Sequence, residues 1–307
     1  MPWDFATELS KHGPQSGDKR LSLAAARSYC AYVTRSHSEN FTVVSALLPR
    51  RLVPHFHAVY AYCRWADDLA DETSSGQVAL DLLAWWRGEL HDCYDGNPTH
   101  PVMISLRETI AKYHIPRELF LNLLLAFEQD QHIKQYNTFE QLLRYCRNSA
   151  NPVGHLLLYL FECFTPERAK LSDEVCTGLQ LANFWQDVAR DAAKGRCYIP
   201  IEDQVRFNSY EADGNAKRST TAFAEMMKFE VDRTRGYFER GSLLLNDLPH
   251  MARLDVDLFI RGGHAILDAI EAIHYDIWCQ RPEVSKRQQL VLLAQAVLKS
   301  VLTHRFR

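Results

Sequence analysis

Residues 60–72 read Tyr60-Ala61-Tyr62-Cys63-Arg64-Trp65-Ala66-Asp67-Asp68-Leu69-Ala70-Asp71-Glu72. A distant echo follows at 183–191, Asn183-Phe184-Trp185-Gln186-Asp187-Val188-Ala189-Arg190-Asp191. Both stretches are rich in helix formers and hold no Gly or Pro, which predicts helix. Positions four apart on a helix differ by about 40° around its axis, so Asp67 and Asp71 share a face. Asn183, Asp187 and Asp191 form a second row, spread over roughly 80°. Apolar residues flank both rows, Trp65, Ala66, Leu69 and Ala70 in one and Leu181, Phe184, Trp185 and Val188 in the other, so both helices should be largely buried. Stacked carboxylates repel each other and are expensive to desolvate, so something positive must compensate them. Neither row contains His or Cys. Oxygen donors alone suit a hard cation such as Mg²⁺, which usually takes one or two carboxylates together with a substrate phosphate. One such row reads as a solvated helix face; two rows among apolar residues argue for cation binding.

The totals set the class. At 307 residues the chain has room for one large domain or two ordinary ones. Hydrophobic residues at 47% and charged residues at 24% are globular values, and a net charge of −3 leaves no nucleic-acid footprint. The eight cysteines include no CxxC pair, no secretory signal opens the chain, and Cys30, Cys63, Cys146 and Cys163 sit inside apolar helical patterns. Reduced structural thiols in a cytoplasmic protein are therefore expected. No apolar run approaches the roughly 18 residues that span a bilayer, which leaves room for peripheral contact at the inner membrane face.

Residues 1–20, with Pro2, Gly13, Pro14 and Gly17, read as a loose lead-in. Helical patterns then run over 21–34, 50–71, 78–94, 101–113, 116–131 and 138–163, with Pro152 predicting a kink in the last of these. The second acidic helix is expected at 171–193, closed by Gly195-Arg196-Cys197-Tyr198-Ile199-Pro200, which resembles a short extended segment. Further helices are expected at 219–246, 255–278 and 285–303. No period-2 alternation of useful length appears, so the chain reads all-α. The acidic rows lie about 120 residues apart with no linker-like stretch between them, which favours a single domain over 21–307. His55-Phe56-His57 sets its imidazoles about 200° apart, poor metal geometry. Arg50-Arg51 reads as a solvated face, with a phosphate role as the alternative, and Trp85-Trp86 reads as core. No GxGxxG, P-loop or GxSxG supports a nucleotide or serine-hydrolase reading.

The paired acidic motifs, the Gly195–Pro200 tail, and Arg64 three residues before Asp67 resemble the squalene/phytoene synthase family, over about residues 22–290. That resemblance implies one large all-α bundle of the isoprenoid synthase type around a central cavity. Two aspartate-rich helices would hold several Mg²⁺ ions against the diphosphate of a prenyl substrate. Carried over by motif, the metal positions are Asp67, Asp68, Asp71, Asn183, Asp187 and Asp191, with Glu72 beside them. The positions that meet the diphosphate are Ser38, Asn40, Arg64, Arg196 and Arg281. Tyr60 lies one turn before Arg64 on the same cavity wall, and both are assigned to catalysis.

The chain also departs from the family's condensing enzymes. Asn40 replaces a small hydroxyl residue, Gln186 a basic one, and Gly262-Gly263 a tyrosine near the C-terminal cavity wall. The family's Tyr-rich segment appears as Tyr145-Cys146-Arg147-Asn148-Ser149-Ala150-Asn151-Pro152-Val153-Gly154. With Glu39-Asn40-Phe41, these residues are similar to the hydroxysqualene synthase branch of hopanoid biosynthesis. That branch ionises presqualene diphosphate and adds water, with no NADPH expected. Phe41, Tyr60 and Trp185 are candidates to stabilise the cation through their ring faces. Asn148 or Asn151 would hold the attacking water, although Asn151-Pro152 reads equally as a kink cap without chemistry. Two alternatives stand beside this reading. One is head-to-head condensation of two farnesyl diphosphates to presqualene diphosphate or squalene, and the other is a non-catalytic scaffold of the same fold. Other enzymes of the squalene pathway are the expected partners, and nucleic acid is not.

Overall fold

The computed structural model of the chain describes residues 3–16, 21–37, 48–73, 76–209 and 220–285, with positions 287, 288, 291 and 293 beyond. The chain divides into two units, Met1–His132 and Ile133–Arg307. Among the described residues everything regular is helix, apart from an isolated parallel bridge between Gln135 and Cys197. None of these helices is long and apolar enough to cross a membrane.

In the first unit the organising element is the first acidic helix, Val53–Asp71. Pro54 sits in its first turn, where a missing N–H costs nothing, and the Glu72 N–H closes it on the Asp68 carbonyl. Four helices pack on it: Leu23–His37, Gln77–Asp95, Pro101–Tyr113 and Arg117–His132. Their shared core is aromatic. Trp65 stacks on Trp86 at 5.4 Å, and the Tyr62 hydroxyl donates to the Phe120 carbonyl at 3.1 Å. His100 enters this core as the N-cap of Pro101–Tyr113, its Nδ1 accepting from the Val102 N–H at 3.1 Å. The proton therefore sits on Nε2, which has no hydrogen-bond partner and whose ring meets Trp65 and Trp86 edge-to-face at 4.5 and 4.7 Å. Burial keeps this imidazole neutral, far below its ordinary pKa.

The expected loose lead-in contains a helix, Phe5–His12. Phe5 packs on Trp65 at 5.3 Å, and buried Glu8 accepts from Tyr29 at 2.9 Å and Lys11 at 3.1 Å. Its single turn-spaced face, Phe5 and Glu8, was hidden in a stretch whose Gly and Pro stand among polar residues.

The second unit is built around the second acidic helix, Pro166–Ala193, which starts five residues earlier than its apolar pattern suggests. The cause is the cap: Thr165 accepts from the Arg168 N–H at 3.2 Å and Pro166 follows at N1. Thr138 and Thr220 cap Phe139–Ser149 and Thr221–Gly241 in the same way. Thr221–Gly241 and His250–Ala272 both pack along the acidic helix, and Phe238 lies where they meet. A Cβ at Gly178 would stand 2.9 Å from the Phe238 ring, and one at Gly263 2.2 Å. Neighbouring Gly262 has nothing within 4 Å of its Cβ position. A 3-10 turn, Ser242–Asn246, ends the pattern expected as one helix to 246, and the helix expected at 285–303 falls almost wholly outside the described residues.

After the second acidic helix the chain turns at Gly195 (φ 72°) and docks back on residues 134–137. The Cys197 N–H donates to Lys134 O at 2.7 Å and Ile201 N–H to Tyr136 O at 2.9 Å. A short helix that the periodicity missed, Ile201–Arg206, follows. Arg233 clamps it, donating through both terminal nitrogens to Asp203 at 3.0 Å each. Beside that clamp Glu230 is fully buried, and neither of its oxygens has a hydrogen-bond partner, although Arg233 lies 3.4 Å from one. Burial pushes its carboxyl up to about 9, with Arg233 opposing and Asp203 and Glu202 reinforcing. All eight cysteines are free, and burial raises Cys30, Cys63, Cys93, Cys146 and Cys176 to about 12, which leaves them inert thiols.

Two stability predictions follow from these contacts. Gly263→Ala should cost about 1–3 kcal/mol in urea unfolding by overpacking Phe238. Gly262→Ala, at an open helical position, should be neutral or stabilise by up to about 1 kcal/mol. Glu230 behaves oppositely to a paired carboxylate. Between the ordinary value near 4.5 and about 9 the folded chain holds a proton that the unfolded chain has lost. Unfolding releases that proton, so this group's contribution falls as pH rises across the window. Glu230→Gln should therefore stabilise, with a gain that grows from pH 5 to 9 toward about 1–3 kcal/mol. A flat difference across that range would show that Glu230 is ionised in the fold.

Candidate active site

The first acidic row divides on folding. Asp67 has 44% of its side chain exposed and Asp71 is exposed, so these two carboxylates look outward together. Asp68, grouped with them by motif, turns inward and is fully buried. Arg64 holds one of its oxygens, and Trp3 Nε1 donates to the other at 3.0 Å. Burial raises the Asp68 pKa, while Arg64, His37 and Trp3 pull it back. The same Arg64 reaches Asp67 at 3.1 Å, so its fork bridges the exposed and buried carboxylates. Tyr60 is half-buried one turn earlier, its hydroxyl pKa raised by burial. Trp3 lies 65 residues from Asp68 in the chain, and no periodicity signals it.

In the second row Asn183 is exposed and Asp187 and Asp191 are partly buried. Arg281 grips Asp187 with both prongs, Nε to Oδ1 at 2.7 Å and Nη2 to Oδ2 at 3.2 Å. Arg190 stands 3.6 Å from the same carboxylate. Gln186 is buried and donates through Nε2 to the Pro282 carbonyl at 2.7 Å. The Arg196 N–H returns to the Asp191 carbonyl at 2.8 Å, which sets the Gly195–Pro200 tail against the helix end. Tyr198 then stacks on Phe184 at 3.9 Å, with Tyr136 and Tyr145 within 6 Å of its ring.

The segment 148–154 breaks its helix outright where a kink was expected. Phe139–Ser149 stops and Asn151–Leu160 begins, with Ala150 (φ −119°, ψ −48°) between them. Pro152 falls in the first turn of the new helix, where its missing N–H is harmless. Asn151 is buried and its Oδ1 accepts from Thr177 on the second acidic helix at 3.2 Å. Asn148 is half-buried, and the Ser149 hydroxyl beside it is a buried group with no partner. A Cβ at Gly154 would lie 2.3 Å from Ser172 Oγ, so that glycine is what lets the two helices approach. Ser38, Glu39, Asn40 and Phe41 lie outside the described residues.

No three His, Cys, Asp or Glu groups gather into a metal cage among the described residues. Carboxylates and one amide spaced along two helix faces fit Mg²⁺, which completes its shell with water and substrate oxygens. A cavity of about 570 Å³ in the first unit, lined by Lys11, His12, Trp85, Glu89 and His100 among others, contains none of these residues.

The chain is similar to known proteins over most of its length. A model of the squalene/phytoene synthase family matches residues 34–288, through both acidic helices and the tail. The 15-cis-phytoene synthase of Synechocystis sp. is 28% identical, over 95% of this chain and 90% of its own. The phytoene synthase of Arthrospira platensis is 26% identical, over 88% and 92%. Among solved structures, squalene synthase HpnC from Alicyclobacillus acidocaldarius superposes with a TM-score of 0.79 at 42% identity, covering 83% of this chain and 96% of its own. A dehydrosqualene synthase in complex with a ligand shares the fold, with a TM-score of 0.81 at 24% identity over 92% and 98%. With an all-α isoprenoid synthase fold and a family match across most of its length, the chain belongs to the squalene/phytoene synthase family of enzymes.

Proposed function

We propose that this enzyme converts presqualene diphosphate and water to hydroxysqualene and diphosphate, as a single catalytic domain. The observation that carries the reading is the polar break at 148–152. There the chain sets Asn148, an unpartnered Ser149 hydroxyl and buried Asn151 where the family's condensing enzymes carry a Tyr-rich segment. Bound Mg²⁺ would supply Lewis-acid neutralisation of the leaving diphosphate. Asp67 and Asp71 in one row, and Asn183, Asp187 and Asp191 in the other, are the side chains that would hold it. Buried Asp68 instead fixes Arg64, whose fork is then aimed by two carboxylates. Arg64, Arg196 and Arg281, with Ser38 and Asn40, receive the diphosphate as charge accumulates on its oxygens.

The balance of the reaction is simple. The carbon–oxygen bond to diphosphate breaks and its electron pair leaves with the anion. The cyclopropylcarbinyl cation rearranges, stabilised by aromatic faces such as those of Tyr60 and Phe41. A water oxygen then bonds to carbon and its proton passes to the departing anion or to solvent. No hydride enters, so NADPH has no role. Asn148 is the residue assigned to hold the water, because the Asn151 side-chain oxygen Oδ1 already accepts from Thr177. The likeness to squalene synthase HpnC, at 42% identity, supports a second reading, condensation of farnesyl diphosphate to presqualene diphosphate or squalene. The long hydrocarbon chains of the product in either reaction favour delivery at a membrane surface.

Product analysis without NADPH separates the two readings. Presqualene diphosphate should give hydroxysqualene, and farnesyl diphosphate should give no product; the reverse pattern would establish condensation. Asp67→Asn and Asp187→Asn should each fold and lose at least about 10²-fold in turnover, since each removes a charge held against the leaving group.

The source of the oxygen is a separate test. Asn148→Leu should keep Mg²⁺-dependent diphosphate release while label from isotopic water falls in hydroxysqualene and elimination products rise. Asn151→Leu also strips the partner from buried Thr177 and should cost about 1–3 kcal/mol of stability in addition. Unchanged labelled alcohol at an unchanged rate in both variants would leave these amides a purely structural part.

A further inference from the structure

After His250–Ala272 the chain doubles back. His274 and Tyr275 adopt left-handed backbone conformations (φ 53° and 62°), Ile277 is buried, and Trp278 packs near Phe223 at 5.8 Å. The segment then lies on the second acidic helix through two adjacent contacts. Gln186 donates to the Pro282 carbonyl at 2.7 Å, and Arg281 grips the next residue, Asp187, at 2.7 and 3.2 Å. Two neighbouring helix residues thus hold two neighbouring strap residues. One contact is a neutral buried hydrogen bond to the main chain, and the other is a bidentate ion pair between partly exposed side chains.

The two contacts respond differently to a cation. A divalent ion bound through Asp187 competes with Arg281 for the same two oxygens, and its charge repels the guanidinium a few ångströms away. The neutral Gln186–Pro282 bond carries no charge and is unaffected. Losing the ion pair therefore frees the Arg281 side chain while its backbone stays pinned one residue away. Its other neighbour, Glu283, is exposed and 3.8 Å distant, too loose to capture it. The charge-matched partner within reach is an anion arriving with the cation.

We propose that Arg281 is a built-in counter-ion of Asp187, exchanged for the divalent cation. Gln186 is then the positioning residue that keeps the displaced guanidinium at the site to receive the diphosphate. This rests on the metal-dependent diphosphate chemistry argued above. It also accounts for an amide at position 186, since the strap needs a donor there and not a second charge beside Asp187.

The test is calorimetric binding of Mn²⁺, without substrate, to the full chain carrying Asp67→Asn and Asp71→Asn, so that the second row alone is read. Arg281→Gln should tighten Mn²⁺ about tenfold, the equivalent of one charge-assisted hydrogen bond. Arg281→Lys, which keeps the charge without the fork, should fall between. Gln186→Met, of similar length with no donor, should tighten Mn²⁺ by about threefold. In saturating Mn²⁺ it should weaken inorganic diphosphate by about tenfold. A structural role for Gln186 would leave that affinity unmoved. Unchanged Mn²⁺ affinity in Arg281→Gln and Arg281→Lys overturns the counter-ion, and unchanged diphosphate affinity in Gln186→Met overturns the positioning role. If Asp187→Asn itself leaves Mn²⁺ affinity intact, the metal reading fails, a result distinct from either.

Discussion

A carboxylate on a packed helix is expensive unless something meets its charge, and much of this molecule is arranged around that cost. Asp68 is met by Arg64 and Trp3, Asp203 by both prongs of Arg233, and Asp187 by Arg281. Glu230 shows the other outcome. With no hydrogen-bonding partner it keeps its proton, its carboxyl pushed up to about 9. In each unit the acidic helix is the element on which several others pack, so the charges set the terms for the surrounding core.

The neutral packing follows the same economy of space. The first unit fills its centre with Trp65, Trp86 and Tyr62 and admits the His100 imidazole, which burial keeps neutral while its Nδ1 accepts from the Val102 N–H. The second unit brings its helices together by removing side chains: Gly178 and Gly263 receive Phe238, and Gly154 admits Ser172 and Cys176. Close packing of this kind would suit the proposed site, whose ligands are short. Asp and Asn have too few rotatable bonds to correct a misplaced helix, so their aim depends on the packing behind them.

The helices were legible because local signals suffice for them. Proline in a first turn and helical spacing of apolar residues marked Pro101–Tyr113 to the residue. Legibility failed where the deciding contact is distant or the composition misleads. Phe5–His12 is helical through an aromatic anchor on Trp65, and Ile201–Arg206 is too short to show a period. The acidic rows were visible as rows, but the inward turn of Asp68 was not. Asp67 and Asp68 are adjacent, and which of them faces solvent depends on Trp3, His37 and the helices that surround them. Likewise spacing offered no link between Asp187 and Arg281, 94 residues apart.

That last pairing explains a departure that looked like a loss. A basic residue at 186 would bring its own charge to Asp187, fixed on the same helix and present whatever else is bound. With Gln186 in its place, the bidentate countercharge comes from a separate segment held by a neutral bond to Pro282, while Arg190 on the same helix stands off at 3.6 Å. The electrostatic contact and the mechanical one are thereby carried by different residues. A charge that must yield to a cation sits on a side chain with room to turn, and the bond that must not yield is buried and uncharged. Stability of the strap and exchange of its charge then make no conflicting demands on a single residue.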